Sequence, residues 1–223
     1  LELIHAYSLM HDDLPCMDDA ELRRGRAATH VDHGEDVTAQ AGAALIPAAA
    51  LQVLSSADRL ECGAEGAVEL ARELMEAAGS GGMVGGQWLD LEGEGEALGP
   101  DDLNGLYGRK TGALLAASLV LGASAAQAGD AVVEALRRYG TSIGLAFQIA
   151  DDVLDATQTA ETLGKRPSDA ELAKSTYVGH YGLEAAKKRA AGHAQVALEA
   201  LSSGGIDAPA LNSLALYIVE RDK

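Results

Sequence analysis

Aromatic residues are scarce in this chain: one Phe, one Trp and six Tyr among 223 residues. Runs alternating apolar with polar residues are equally hard to find, and alanine and leucine are abundant. Strands favour aromatic and β-branched side chains and helices favour alanine and leucine, so an all-α fold is expected. Cys16 and Cys62 are too few for a disulfide framework. A reducing cytoplasmic setting is the simpler expectation, and no signal-peptide pattern opposes it. Cations are outnumbered, 17 Lys and Arg against 34 Asp and Glu, a formal charge of −17. Nucleic acid, whose phosphates demand a basic patch, is excluded as a partner. Cations such as Mg²⁺ are favoured. The longest uncharged segment, 111–129, nears the length of a membrane span. It is dominated by Ala, Gly, Ser and Gln, so a buried core helix is expected there and no stable membrane insertion. The length suits one domain, 1–223, with a sizeable core.

Against these absences stands a concentration of acid. His11-Asp-Asp-Leu-Pro-Cys-Met-Asp-Asp-Ala-Glu-Leu-Arg-Arg24 holds four aspartates and a glutamate within ten residues, followed by two adjacent arginines. Ionised carboxylates packed together repel unless something positive joins them. Mg²⁺ does so with one or two carboxylates, several waters and phosphate oxygens. Asp12 and Asp18 are candidates to hold metal, and Arg23 and Arg24 carry fork-shaped donors that match phosphate. A solvated acidic turn with two surface arginines would read the same way.

The second run separates these readings. Gln148-Ile-Ala-Asp151-Asp152-Val-Leu-Asp155 sets Asp151 and Asp155 one helical turn apart on one face, among apolar neighbours. Aspartates in such surroundings are usually paired or bound to metal. Two clusters on separate apolar helices suggest opposite walls of one metal-filled cavity.

The first run matches the D-D-x-x-x-x-D…R-R pattern, and the second the D-D-x-x-D pattern, of the trans-isoprenyl diphosphate synthases. Between and beyond them lie Gly86-Gln87-Trp-Leu-Asp90, Lys110-Thr111-Gly112, Phe147-Gln148, Gly164-Lys165 and Lys174-Ser-Thr-Tyr177 in the expected order. The chain resembles this family along nearly its whole length, and most of all its bacterial farnesyl-forming branch. The resemblance implies a helical bundle of the isoprenoid synthase type around a central cavity. It also implies further helices before Leu1, including a cationic grip on the second diphosphate. The chain is therefore expected to be N-terminally incomplete.

For function, the resemblance implies condensation of isopentenyl diphosphate with dimethylallyl or geranyl diphosphate to give farnesyl diphosphate. Asp12, Asp13, Asp18, Asp151, Asp152 and Asp155 would bind Mg²⁺, three ions in all. Arg23, Lys110 and Lys165 would neutralise the allylic diphosphate, with Lys174 nearby. Oxygens of Thr111 and Gln148 would face the developing carbocation. His5 and Arg24 would contact isopentenyl diphosphate, although a lone His is more often a structural partner than a ligand. Tyr7, five residues before Asp12, would floor the prenyl tunnel and limit chain length, or else be an ordinary packed Tyr. A homodimer is expected by likeness alone.

Helices are expected over 1–11, 37–60 despite Pro47, 64–78, from Lys110 onward, and over 132–155, 183–201 and 208–220. Residues 29–34 read as a connection, and 156–174 as a loop that closes over the diphosphate. Three positions depart from the family pattern: Ala43 replaces a carboxylate, Ser168 stands near a usual glycine, and Val178 replaces a proline. Geranylgeranyl diphosphate as product and a non-catalytic prenyltransferase subunit are the alternatives. Non-catalytic subunits lose their aspartates, and both runs are intact here. A terpene cyclase would need a different second metal motif and an aromatic-lined pocket. A phosphohydrolase built on His11-Asp12 would need further histidines nearby.

Overall fold

The computed structural model describes residues 1–157 and 175–221. Two compact units emerge, one of Leu1–Ala71 and one of the described residues from Arg72 onward. Both are helical, as the composition demands. Lys165, Lys174 and Ser168 lie outside the described residues, as does the proposed closing loop beyond Thr157.

The first unit holds α1 (Glu2–Asp12), a two-residue hairpin of β1 (Leu22–Arg23) and β2 (Arg26–Ala27), α2 (Thr29–His33), α3 (Glu35–Arg59) and the start of α4 (Gly63–Ala78). The connection expected over 29–34 contains the short helix α2. Helix α1 packs on α3, Ile4 and Thr38 are fully buried, and His11 Nε2 lies 3.1 Å from the Ala39 carbonyl oxygen. By length and composition α3 is apolar enough to cross a membrane. Few of its residues are buried within this chain, and Val37, Leu51 and Leu54 are exposed.

The second unit continues from α4 through α5 (Met83–Glu92), α6 (Pro100–Tyr107), a π-helical turn (Gly108–Gly112), α7 (Ala113–Ala125) and α8 (Asp130–Thr157). After the undescribed stretch come α9 (Tyr177–Tyr181), α10 (Leu183–Ser203) and α11 (Pro209–Glu220). At 13 residues α7 is too short to span a bilayer, and Ala117 and Val120 bury it as a core helix.

Helix α8 is the axis of this unit. Alanines at 186, 190 and 194 recur every four residues along one face of α10, all buried, so that small side chains admit a close neighbour. Tyr139, Ile143 and Ala146 of α8 share a core with Ala194, Ala197 and Leu201 of α10 and Ile218 of α11. The Tyr139 hydroxyl donates to the Leu211 carbonyl at 2.7 Å, and burial pushes its pKa up to about 12. A bidentate pair, Arg137 to Glu73 at 2.8 and 2.9 Å, joins α8 to α4.

The π-helical turn is fixed by backbone approach. A Cβ on Gly144 would stand 2.5 Å from Gly112 Cα, and one on Gly86 would stand 2.2 Å from the Lys110 nitrogen. Both glycines are required by contact distance. Gly144→Ala is therefore expected to lower stability by about 1–3 kcal/mol through overpacking, read as the urea midpoint. An unchanged midpoint would show that the approach is dispensable.

Candidate active site

In the first unit α1 ends at Asp12, and the chain turns back so that the Asp18 amide donates to the Asp12 carbonyl at 2.9 Å. This turn gathers the first and last aspartates of the D-D-x-x-x-x-D run. Asp13 between them is buried. It accepts from Arg23 Nε at 3.0 and 3.2 Å and closely from Arg23 Nη2. That hydrogen bond raises the Arg23 pKa first of all; burial opposes it, and the charges of Asp13, Asp12 and Asp18 add to it. Arg23 thus sits within the field of all three carboxylates.

The hairpin is what delivers Arg23. Its register pairs Leu22 with Ala27 and Arg23 with Arg26, leaving Arg24 and Gly25 as a two-residue turn, both at positive φ, +53° and +75°. Such a turn matches the twist of a hairpin and lifts Arg24 to the exposed tip. Sequence reading missed the hairpin, although Arg24-Gly25, with glycine second, carries the turn signal.

Tyr7 lies on α1 with its ring edge-on to His11, centroids 4.6 Å apart. Burial raises the Tyr7 pKa and the Asp12 charge adds to the rise, so Tyr7 lies below the aspartates in the same electrostatic neighbourhood. His5 is exposed two turns before Asp12.

The second unit assembles more of the expected residues. Lys110 and Thr111 occupy the π-helical turn, a geometry often found at functional sites. Lys110 Nζ donates to Asp90 Oδ2 at 2.6 Å, which fixes the direction of the ammonium. The Thr111 hydroxyl donates to Gln148 Oε1, so the turn and the end of α8 meet through these two residues. Gln87, on the same face of α5 as Asp90, has a buried side-chain amide with no hydrogen-bond partner among the described residues. Buried amides are normally satisfied, so a bound polar group suits this face.

The three aspartates of α8 have different surroundings. Asp152 is buried; its carboxylate accepts from the Tyr107 hydroxyl at 2.8 and 2.9 Å and from the Tyr177 amide at 2.7 Å. It therefore anchors the chain where α9 begins. Asp151 and Asp155, partly exposed, remain on the shared face read from their spacing. Asp151 is salt-bridged to Arg221, a partner 70 residues away that the sequence did not suggest.

A model of the polyprenyl synthetase family matches residues 1–203. The farnesyl diphosphate synthase of Escherichia coli K12 is 45% identical over the whole chain and 76% of the relative. The chain belongs to the polyprenyl synthetase family. Solved structures share the fold. The FPP/GFPP synthase of Zymomonas mobilis has a TM-score of 0.85 at 35% identity, covering 98% of this chain and 73% of that one. The geranyltransferase of Helicobacter pylori, complexed with magnesium and isoprenyl diphosphate, has a TM-score of 0.82 at 35% identity, covering 98% and 70%.

In this chain the two middle aspartates, Asp13 and Asp152, are buried and bonded to protein donors. The outer ones, Asp12, Asp18, Asp151 and Asp155, are partly exposed. Asp152→Asn is accordingly expected to lower the thermal midpoint, because a buried acceptor serving the Tyr107 hydroxyl and the Tyr177 amide is weakened, at about 1–3 kcal/mol. Asp155→Asn should leave the midpoint nearly unchanged. Equal shifts in the two variants would refute the distinction.

Proposed function

We propose that this chain is a farnesyl diphosphate synthase, condensing isopentenyl diphosphate with dimethylallyl or geranyl diphosphate. The observation that carries the reading is the pair of aspartate clusters, each set beside cations, in a member of the polyprenyl synthetase family. A non-catalytic subunit would not need both clusters.

Asp12 and Asp18, and Asp151 with Asp155, are oxygen donors of the kind Mg²⁺ takes. Among the described residues no three of His, Cys, Asp and Glu converge to cage an ion by themselves. Three Mg²⁺, as the family resemblance implies, would offset the charge of the allylic diphosphate as it departs. By the family resemblance Lys110, bonded to Asp90, and Arg23, held by Asp13, would supply positive charge to the allylic diphosphate. Lys165, outside the described residues, is assigned to it by likeness, with Lys174 beside it.

Thr111 and Gln148 turn oxygens toward the allylic carbon where positive charge develops, and a preformed arrangement costs no reorganisation at that moment. His5 and Arg24, both exposed, are the residues of this chain assigned to isopentenyl diphosphate. Diphosphate itself takes the proton lost after carbon–carbon bond formation. The enzyme acts in the cytoplasm as a homodimer. In support, α3 exposes Val37, Leu51 and Leu54 along a 25-residue apolar helix, a face that a second copy would cover.

Asp12→Ala and Asp151→Ala should each lower turnover by about a thousandfold or more, the scale of losing metal-based charge stabilisation, with the far-UV circular dichroism unchanged. Near-normal turnover of either variant with Mg²⁺, isopentenyl and geranyl diphosphate would defeat the reading. Tyr7 limits chain length through its bulk below Asp12, so Tyr7→Ala should yield products longer than fifteen carbons by chromatography. An unchanged product in an active variant would remove Tyr7 from that role.

A further inference from the structure

Arg221 follows α11 and reaches back to α8. Its guanidinium carbon lies 4.3 Å from the centre of the Phe147 ring, and its Nη2 donates to Asp151 Oδ1. Phe147 and Asp151 are one helical turn apart, so ring and carboxylate form a single seat for a planar cation. The Arg221 side chain is 15% exposed and that of Asp151 36%. This is a shielded contact, yet one with a side open to solvent.

The seat does not satisfy its occupant fully. Arg221 Nε is buried with no hydrogen-bond partner among the described residues. An arginine kept only to brace two helices is better served when each donor is paired, as in the two-bond grip of Arg137 on Glu73. Asp151 differs from Asp152, which is closed in by Tyr107 and Tyr177. Asp151 combines a charge partner, Arg221, with access to solvent.

We propose that Arg221 is a positioning residue that serves as a resident cation at Asp151: it holds the carboxylate in the absence of metal and leaves it when Mg²⁺ and diphosphate arrive. The inference rests on the reading of Asp151 as a metal-binding group. Its physical content is competition. One carboxylate oxygen cannot keep a close guanidinium contact and also complete the shell of a divalent ion, so metal affinity is reduced by the population in which Arg221 is seated. By linkage, metal loading frees the end of α11 from α8. Without the arginine, the carboxylates of Asp151, Asp152 and Asp155 would share one helix end with less compensation, at a cost to the apo protein.

The test is a titration of the protein with Mg²⁺ at fixed inorganic pyrophosphate, without prenyl substrates, reading the thermal midpoint. Arg221→Ala should reach half of its maximal shift at about a tenfold lower Mg²⁺ concentration than the unsubstituted chain, the fold-change of about one charge-assisted contact. Arg221→Lys, which keeps the charge, should shift by under about threefold. Phe147→Leu, which removes the ring beneath the guanidinium, should shift in the same direction as alanine but by less. Phe147→Leu decides the matter if Arg221→Ala fails to fold. An unchanged or higher half-saturation for Arg221→Ala or Phe147→Leu would overturn the proposal, as would a lysine variant that behaves like alanine. Asp151→Ala separates the two levels of inference. If its titration equals that of the unsubstituted chain, the metal reading of Asp151 fails. If its response is lost while the Arg221 variants stay unchanged, only the resident-cation proposal fails.

Discussion

Carboxylates gathered at a helix end repel one another, and that repulsion must be offset before any ligand arrives. Each cluster here carries its own cation. Asp13 is held by Arg23 across a hairpin turn, Asp90 holds Lys110, and Asp151 holds Arg221. A charge-assisted bond in a half-buried setting counts for more than an exposed pair, so these contacts set the direction of each charged group. Arg23 and Lys110 are also the cations that the proposed function assigns to the allylic diphosphate. In the proposed chemistry, metal and phosphate exchange into these preformed pairs of acid and base.

Asp152 performs a different task with the same chemistry. Its carboxylate collects the Tyr107 hydroxyl, which precedes the π-helical turn, and the Tyr177 amide, which opens α9. One buried acceptor therefore ties two stretches of chain to the end of α8. Ile149, Tyr177 and Tyr107 share an apolar cluster around it, where an unpaired charge would be costly. The π-helical turn is wedged between Gly86 and Gly144, and Thr111 meets Gln148 across the same junction. Positioning of Thr111 and Gln148 and stability of the fold are coupled at this point.

The helices were legible because alanine-rich, strand-poor sequence leaves few alternatives, and their bounds agree with the spacing of apolar residues to within a few positions. Both aspartate runs were legible as motifs of the family, and the i, i+4 relation of Asp151 and Asp155 follows from helical geometry alone. The division of labour within each run was not. Asp13 and Asp152 are buried by residues distant in sequence, and no local pattern announces Tyr107, Tyr177 or Arg221 as partners. The hairpin escaped because two-residue strands have no periodicity to read; only Arg24-Gly25 marks it. The π-helical turn escaped because its cause is backbone approach from glycines on α5 and α8. Residues 29–34 passed for a connection because a five-residue helix is too short to leave an apolar stripe.

One requirement underlies the proposed chemistry: Asp12 with Asp18 and Asp151 with Asp155 must hold ions on a single diphosphate. The most direct measurement is anomalous diffraction from crystals grown with Mn²⁺, isopentenyl diphosphate and an unreactive thio-analogue of geranyl diphosphate. The account predicts manganese peaks at both aspartate clusters, bridged by the oxygens of one allylic diphosphate. Manganese confined to one cluster, or two clusters too far apart to touch the same diphosphate, would contradict it.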